Sequence, residues 1–207
     1  MSATGVRAED RRARFDEERE AIIRSAHRLI GRSGQPTPIE DILRGAGVNR
    51  RVFYRHFPSK DALLLAMQER AGRLVADALR AAVAGSDDGR AAATAWIREF
   101  LGIGWDERRS REGRTFVAPE VGMVPGIAAA MEEIHVEHRR ILETALARGR
   151  EDGTLPSAAP ERNAFAIHAV VLRCLEMRAR GLLMQPFAEV YDEIVDVLVA
   201  LTTVAVT

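Results

Sequence analysis

Cysteine is nearly missing from these 207 residues, and Cys174 stands alone. No intrachain disulfide can form, so a reducing cytosol suits the chain; a buried structural thiol is the plain role for Cys174, with a redox role left open. Long hydrophobic runs are missing too. The longest uncharged stretches, such as Val197–Thr207, fall well short of the ~20 residues of a membrane span. The N-terminus carries no apolar core of a signal peptide, which leaves a cytoplasmic protein as the expectation. Aromatic residues make up only 5% of the chain, and few runs alternate with period two. Abundant Ala, Leu and Arg then favour an all-α protein. Lysine is the scarcest of all the charged residues: Lys60 is the only one, and the other 29 basic side chains are Arg. Net charge is absent as well, with 30 basic against 30 acidic residues.

That neutrality would argue against a nucleic-acid partner if it were evenly spread. It is not. Residues 1–60 carry 13 Lys+Arg against 8 Asp+Glu, a net of +5, which leaves −5 on residues 61–207. The chain reads as a basic head on an acidic body. The 47% of apolar residues excludes disorder, and the length suits one globular unit with a subsidiary segment.

What is there is concentrated in Thr37–Lys60, TPIEDILRGAGVNRRVFYRHFPSK. Thr37, Pro38 and Glu40 fit a capping box that opens a short helix. Ile39, Ile42, Leu43 and Ala46 give that helix one apolar face. Gly47 can end it in the left-handed conformation, and Asn49 can cap the next. Val52, Phe53 and Phe57 turn inward on the second helix, Pro58-Ser59 stops it, and Ser59 caps a third. Two helices joined by a turn of about four residues form the helix-turn-helix pattern. Arg50, Arg51, Tyr54 and Arg55 fall off its buried face, where a recognition helix meets base edges. Lys60 lies in the first turn of the following helix, where the macrodipole disfavours a cation and a docked phosphate would relieve it.

On Ala46-Gly47-Val48, Asn49, Phe53-Tyr54-Arg55-His56-Phe57 and Pro58-Ser59-Lys60, the segment resembles the DNA-binding part of TetR-family transcriptional regulators. The likeness covers roughly residues 15–65 and implies DNA contacts from Thr37, Arg50, Arg51, Tyr54, Arg55, His56 and Lys60, the last to the DNA backbone. Two positions depart from the family pattern. A small residue is usual where Leu43 sits, and Gly or Pro then Thr is usual where Arg51 and Val52 stand. Val52 cannot donate the hydrogen bond a Thr would give a phosphate, so the operator preference of a relative does not transfer.

In chain order, residues 1–14 read as a charged, mobile arm whose Arg7, Arg11, Arg12 and Arg14 could lie along a minor groove or simply be solvated. Residues 15–60 read as a three-helix DNA-binding domain, with Phe15, Ile22, Ala26, Leu29 and Ile30 on one stripe of its first helix. Residues 61–207 read as a larger helical regulatory and dimerisation domain. A long amphipathic helix runs from Ala62 to about Ala84, and a second holds Trp96, Ile97, Phe100 and Leu101. Thr115–Gly126 is apolar but broken by two prolines and two glycines, so it is either a pocket lid or a loop packed on the core. A further helix spans Ile127 to Asp152.

Candidate ligand-facing residues in the body are Trp96, Phe100, Trp105, Phe116, Met123, Met131, His135 and Leu172. Each of them could equally be core. Glu132, His135 and His138 form the one cluster with metal-like spacing, but a di-iron bundle needs a second Glu-x-x-His that this chain lacks. No metal or cofactor is therefore expected, and no catalytic motif assembles; an enzyme or metalloprotein built on those three residues is the alternative. The stretches Asn163–Leu172 and Val190–Val206 are apolar almost all round, which calls for a covering partner. A homodimer through these two helices supplies it, as the resemblance also implies. The expectation is a dimeric repressor on a palindromic double-stranded DNA operator, released by a small-molecule effector, with a ligand-dependent activator as the variant reading.

Overall fold

The computed structural model describes residues 3–33, 37–107, 109–110, 115 and 118–203. Among them every regular element is a helix: α1 Ala3–Ser33, α2 Ile39–Ala46, α3 Arg50–His56, α4 Lys60–Ala84, α5 Gly89–Gly102, α6 Pro119–Gly122, α7 Ile127–Glu151, α8 Pro160–Ala179 and α9 Phe187–Thr203. The all-α class expected from composition is what the chain adopts. One boundary differs at once. The expected arm continues α1 back to Ala3, because a run rich in Ala, Glu and Arg is helix-forming and its charges pair along the helix, as Arg14 and Glu18 do at i, i+4.

The chain divides into two compact units, residues 1–68 with 114–128, and residues 69–113 with 129–207. The boundary therefore falls inside α4 and α7 rather than after Lys60. In the first unit, Ile22, Ile23, Ala26 and Ile30 of α1 meet Ile42 and Leu43 of α2, Phe53 of α3, Phe57, and Leu63, Leu64 and Met67 of α4. Burying each such Ile, Leu or Phe is worth about 1.5–3 kcal/mol, so this small core holds the two short helices α2 and α3, which would not persist alone. Val121 and Val124 belong to the same core. Of the two readings of the broken segment, its described part follows the packed loop.

The second unit is built on Trp96, Ile97, Phe100 and Leu101 of α5, Ile141, Leu142 and Leu146 of α7, Ala164, Ile167 and Val171 of α8, and Val190, Ile194 and Leu198 of α9. Asp88 caps α5, its carboxylate accepting the Ala91 N–H at 2.7 Å. At the start of α5 the chain passes so close to α7 that a Cβ on Gly89 would sit 2.0 Å from the Gly149 nitrogen. Only glycine fits that crossing.

The outer sides of α8 and α9 carry apolar residues the chain leaves uncovered: Phe165 is 63% exposed and Val170 is exposed on α8, and Val197 and Leu201 are exposed on α9. Leu198 is fully buried within the chain. Residues 204–206 of the last apolar stretch lie outside the described residues.

Candidate nucleic-acid interface

Gly47 ends α2 in the left-handed conformation at φ 69°, and the Val48 N–H closes the turn on the Leu43 carbonyl at 3.1 Å. Asn49 then opens α3, its side-chain oxygen accepting the Val52 N–H at 3.0 Å. The seven residues of α3 place Phe53 in the core and leave Arg50, Arg51, Tyr54 and Arg55 exposed on the other side. Ser59 caps α4 by accepting the Ala62 N–H at 3.1 Å. A short helix carrying three arginines and a tyrosine on its open face can meet base edges and phosphates together.

Two of the three arginines of this face have internal partners. Arg50 is held by Glu40, and Arg55 by Glu18 of α1. Those bonds hold the Glu40 carboxyl below the usual carboxylate range, after its own backbone N–H; for Glu18 the His56 bond comes first and the Arg55 bond adds to it. Arg51 has no carboxylate in ion-pair reach among the described residues. Solvent-screened pairs of this kind contribute little to stability and yield readily to a phosphate or a base.

Two expected DNA contacts lie elsewhere than the spacing suggested. The side chain of His56 is 0% exposed. It packs on Phe15, ring centroids 4.1 Å apart, with Nε2 3.1 Å from Glu18. Thr37 is 5% exposed, its hydroxyl buried without a partner. The expected capping box does not form: α2 has no side-chain cap, and Glu40 turns to Arg50. Instead the Thr37 N–H donates to the Glu120 carboxylate of α6, at 3.1 and 3.3 Å to its two oxygens. Lys60 completes this cluster, donating to Glu120 at 2.5 Å and to the Thr37 carbonyl at 2.7 Å. Nothing in the sequence linked Glu120 to residues 60 and 83 positions away.

The body candidates also sort by position. Trp96 and Phe100 are buried and in edge contact, and Phe100 lies against both His138 and His168. His135 joins them through His168, ring centroids 5.2 Å apart. Trp105 is half-buried and donates to the Gln185 carbonyl at 3.0 Å. Met131 and Leu172 are half-buried on α7 and α8. Phe116 lies outside the described residues. Met123 is 83% exposed and belongs to the first unit: α6 and the turn after it bury Val121 and Val124 and turn Met123 outward.

Sequence spacing grouped His138 with Glu132 and His135 and gave His168, set in an apolar run, no role; both rings are buried. Burial pushes His138 down to about 4 and His168 down to about 3, so both are neutral at pH 7. His138 Nε2 lies 3.1 Å from the Gly72 carbonyl, which makes it the N–H tautomer. The Nδ1 of His138 and the Nε2 of His168 are buried without partners. Glu132, in contrast, is exposed and bound to Arg139 at 2.6 Å. Glu132, His135 and His138 therefore do not converge, and no group of three potential ligands able to hold a metal occurs among the described residues.

Residues 22–67, which hold this interface, match the family model for "Bacterial regulatory proteins, tetR family". Those residues form a TetR-type DNA-binding segment. The head is also similar to the HTH-type transcriptional regulator EthR of Mycolicibacterium smegmatis, 38% identical over 53 residues, a match that spans 25% of this chain and 24% of that protein. A likeness of fold extends over the body. A regulator from Saccharomonospora viridis solved with choline superposes with TM-score 0.75 at 20% identity, covering 87% of this chain and 95% of that one. The regulator FadR of Bacillus subtilis, solved with stearoyl-CoA, gives 0.71 at 14% identity, covering 88% and 98%. At such identities the likeness is one of fold. No described helix of the chain is long and apolar enough to cross a membrane.

Proposed function

We propose that the protein is a cytoplasmic, homodimeric repressor that reads a palindromic operator through α3 and leaves it when a small molecule enters the body. The observation that carries this reading is the open face of α3, with Arg50, Arg51, Tyr54 and Arg55 outward on a helix capped and packed by the rest of the head. Arginine is the usual bidentate reader of guanine, worth about 1–3 kcal/mol of discrimination per good pair. The uncovered apolar residues of α8 and α9 support the dimer, because a two-fold pairing would bury Phe165, Val170, Val197 and Leu201 against their own copies.

The effector reading rests on the aromatic and histidine core of the body. Two unpartnered imidazole nitrogens beside Phe100 are what a ligand's polar group would satisfy. Relatives of the same fold were solved with choline and with stearoyl-CoA, so the fold accommodates dissimilar ligands. An effector that binds one head spacing better than another shifts operator occupancy by that difference. Transcription in vitro from a promoter bearing a selected binding site tests the sign of regulation. Repression relieved by an added small molecule supports the reading, and activation by the protein alone overturns the repressor assignment.

A further inference from the structure

Lys60 is the chain's one lysine, and it does not stand free. Its ammonium is bound on one side by the Thr37 carbonyl at 2.7 Å and on the other by Glu120 at 2.5 Å. The same carboxylate takes the Thr37 N–H at 3.1 and 3.3 Å. An ammonium and a main-chain N–H converging on one pair of oxygens is how a protein grips a backbone phosphate. Here an internal carboxylate fills that grip. Glu120 is only 9% exposed and Lys60 30%, so the pair is partly withdrawn from water. The Thr37 hydroxyl, buried and without a partner, is a third polar group that the two-oxygen carboxylate leaves unused and that a phosphate has oxygens to meet.

We propose that Glu120 is an internal stand-in for a DNA phosphate, holding Lys60 and the Thr37 N–H until a phosphate of the duplex replaces it. This rests on the reading of the head as a DNA binder. Two functions follow for α6. It keeps the chain's single ammonium ordered in the absence of DNA, and it sets a threshold that non-specific DNA must overcome. The carboxylate also changes the ion balance. When Lys60 moves to a phosphate, one counterion leaves the DNA, but the freed Glu120 takes up a cation. The two cancel, and Lys60 adds almost nothing to the salt dependence of binding. With glutamine at 120 the second exchange vanishes.

The single lysine provides its own reporter, since lysine labelled with nitrogen-15 yields one side-chain Nζ resonance, that of Lys60. A random-sequence duplex is titrated into wild type, Glu120→Gln, Lys60→Ala and the double variant at several salt concentrations. Expected are a Lys60 resonance that moves on saturation with DNA, and a binding slope steeper by about one unit in Glu120→Gln. Lys60→Ala and the double variant should keep a slope near wild type. Glu120→Asp, which shortens the carboxylate without removing its charge, covers the case in which the Gln variant fails to fold; it should show a displaced Lys60 resonance before DNA is added. A Lys60 resonance unmoved in a protein that does bind DNA overturns the inference alone, as does a wild-type slope in a folded Glu120→Gln protein. A slope flattened by about one unit in Lys60→Ala overturns it too, for Lys60 would then be uncompensated. Failure of wild type to bind any duplex at low salt overturns the DNA-binding reading itself.

Discussion

Neighbouring residues on α3 divide the work of the head in ways their identities do not announce. Arg51 faces outward with no ionic partner among the described residues, while His56 is closed in by Phe15, Glu18 and Phe57. His56 therefore supports the position of α3 on α1. Replacing His56 by Ala should lower the stability of the head by about 2–3 kcal/mol, since it opens a cavity and strips the Glu18 carboxylate of a partner. Base preference should stay as it was. Chemical denaturation and selection of bound sequences measure the two effects separately, and a changed consensus at unchanged stability would return His56 to the DNA face. The outward placement of Arg50, Arg51, Tyr54 and Arg55 was legible from helical spacing alone. The burial of Thr37 and His56 was not, because it depends on Glu120, Phe15 and Glu18, which come from distant parts of the chain.

At the scale of elements, the histidines of α7 and α8 give the body a pH dependence. An unfolded histidine takes up its proton near 6.5, whereas the buried rings of His138 and His168 stay neutral down to about 4 and about 3. Burial lowers His135 in the same direction. The unfolded state thus binds more protons below 6.5, and stability that is complete above that pH is lost as pH falls toward 4. Each ring can remove at most about 1.4 kcal/mol per pH unit. Urea midpoints measured between pH 7.5 and 5 should fall steadily, and His168→Gln should fall less steeply. A flat profile in wild type would mean that the rings are hydrated or paired. The helices themselves were readable from caps, glycines and apolar period, and α4, α5 and α7 lie close to where those signals put them. The reach of α1 back to Ala3 was hidden by a highly charged sequence that has helix propensity but no apolar stripe.

For the whole molecule the question is what covers α8 and α9. The apolar character of both helices was plain in the sequence, but not which residues turn inward. Leu198 is core within one chain, so a charge there would unfold the body instead of separating subunits. Leu201 is 36% exposed and is the position that discriminates. Leu201→Asp should give a folded monomer by sedimentation, with retained helicity and weakened operator binding. A persisting dimer would remove this face from the interface. Two heads on a two-fold axis impose a symmetric site with half-sites about 10–10.5 base pairs apart or a multiple of that.

Selection of bound sequences from random duplex DNA tests the central claim, that α3 reads DNA for a symmetric dimer. Wild type should enrich an inverted repeat at that spacing, and Arg51→Ala should lose preference at one position in each half-site, at a cost of about 1–3 kcal/mol. Enrichment of no motif, or an identical motif from Arg50→Ala and Arg51→Ala, would contradict it.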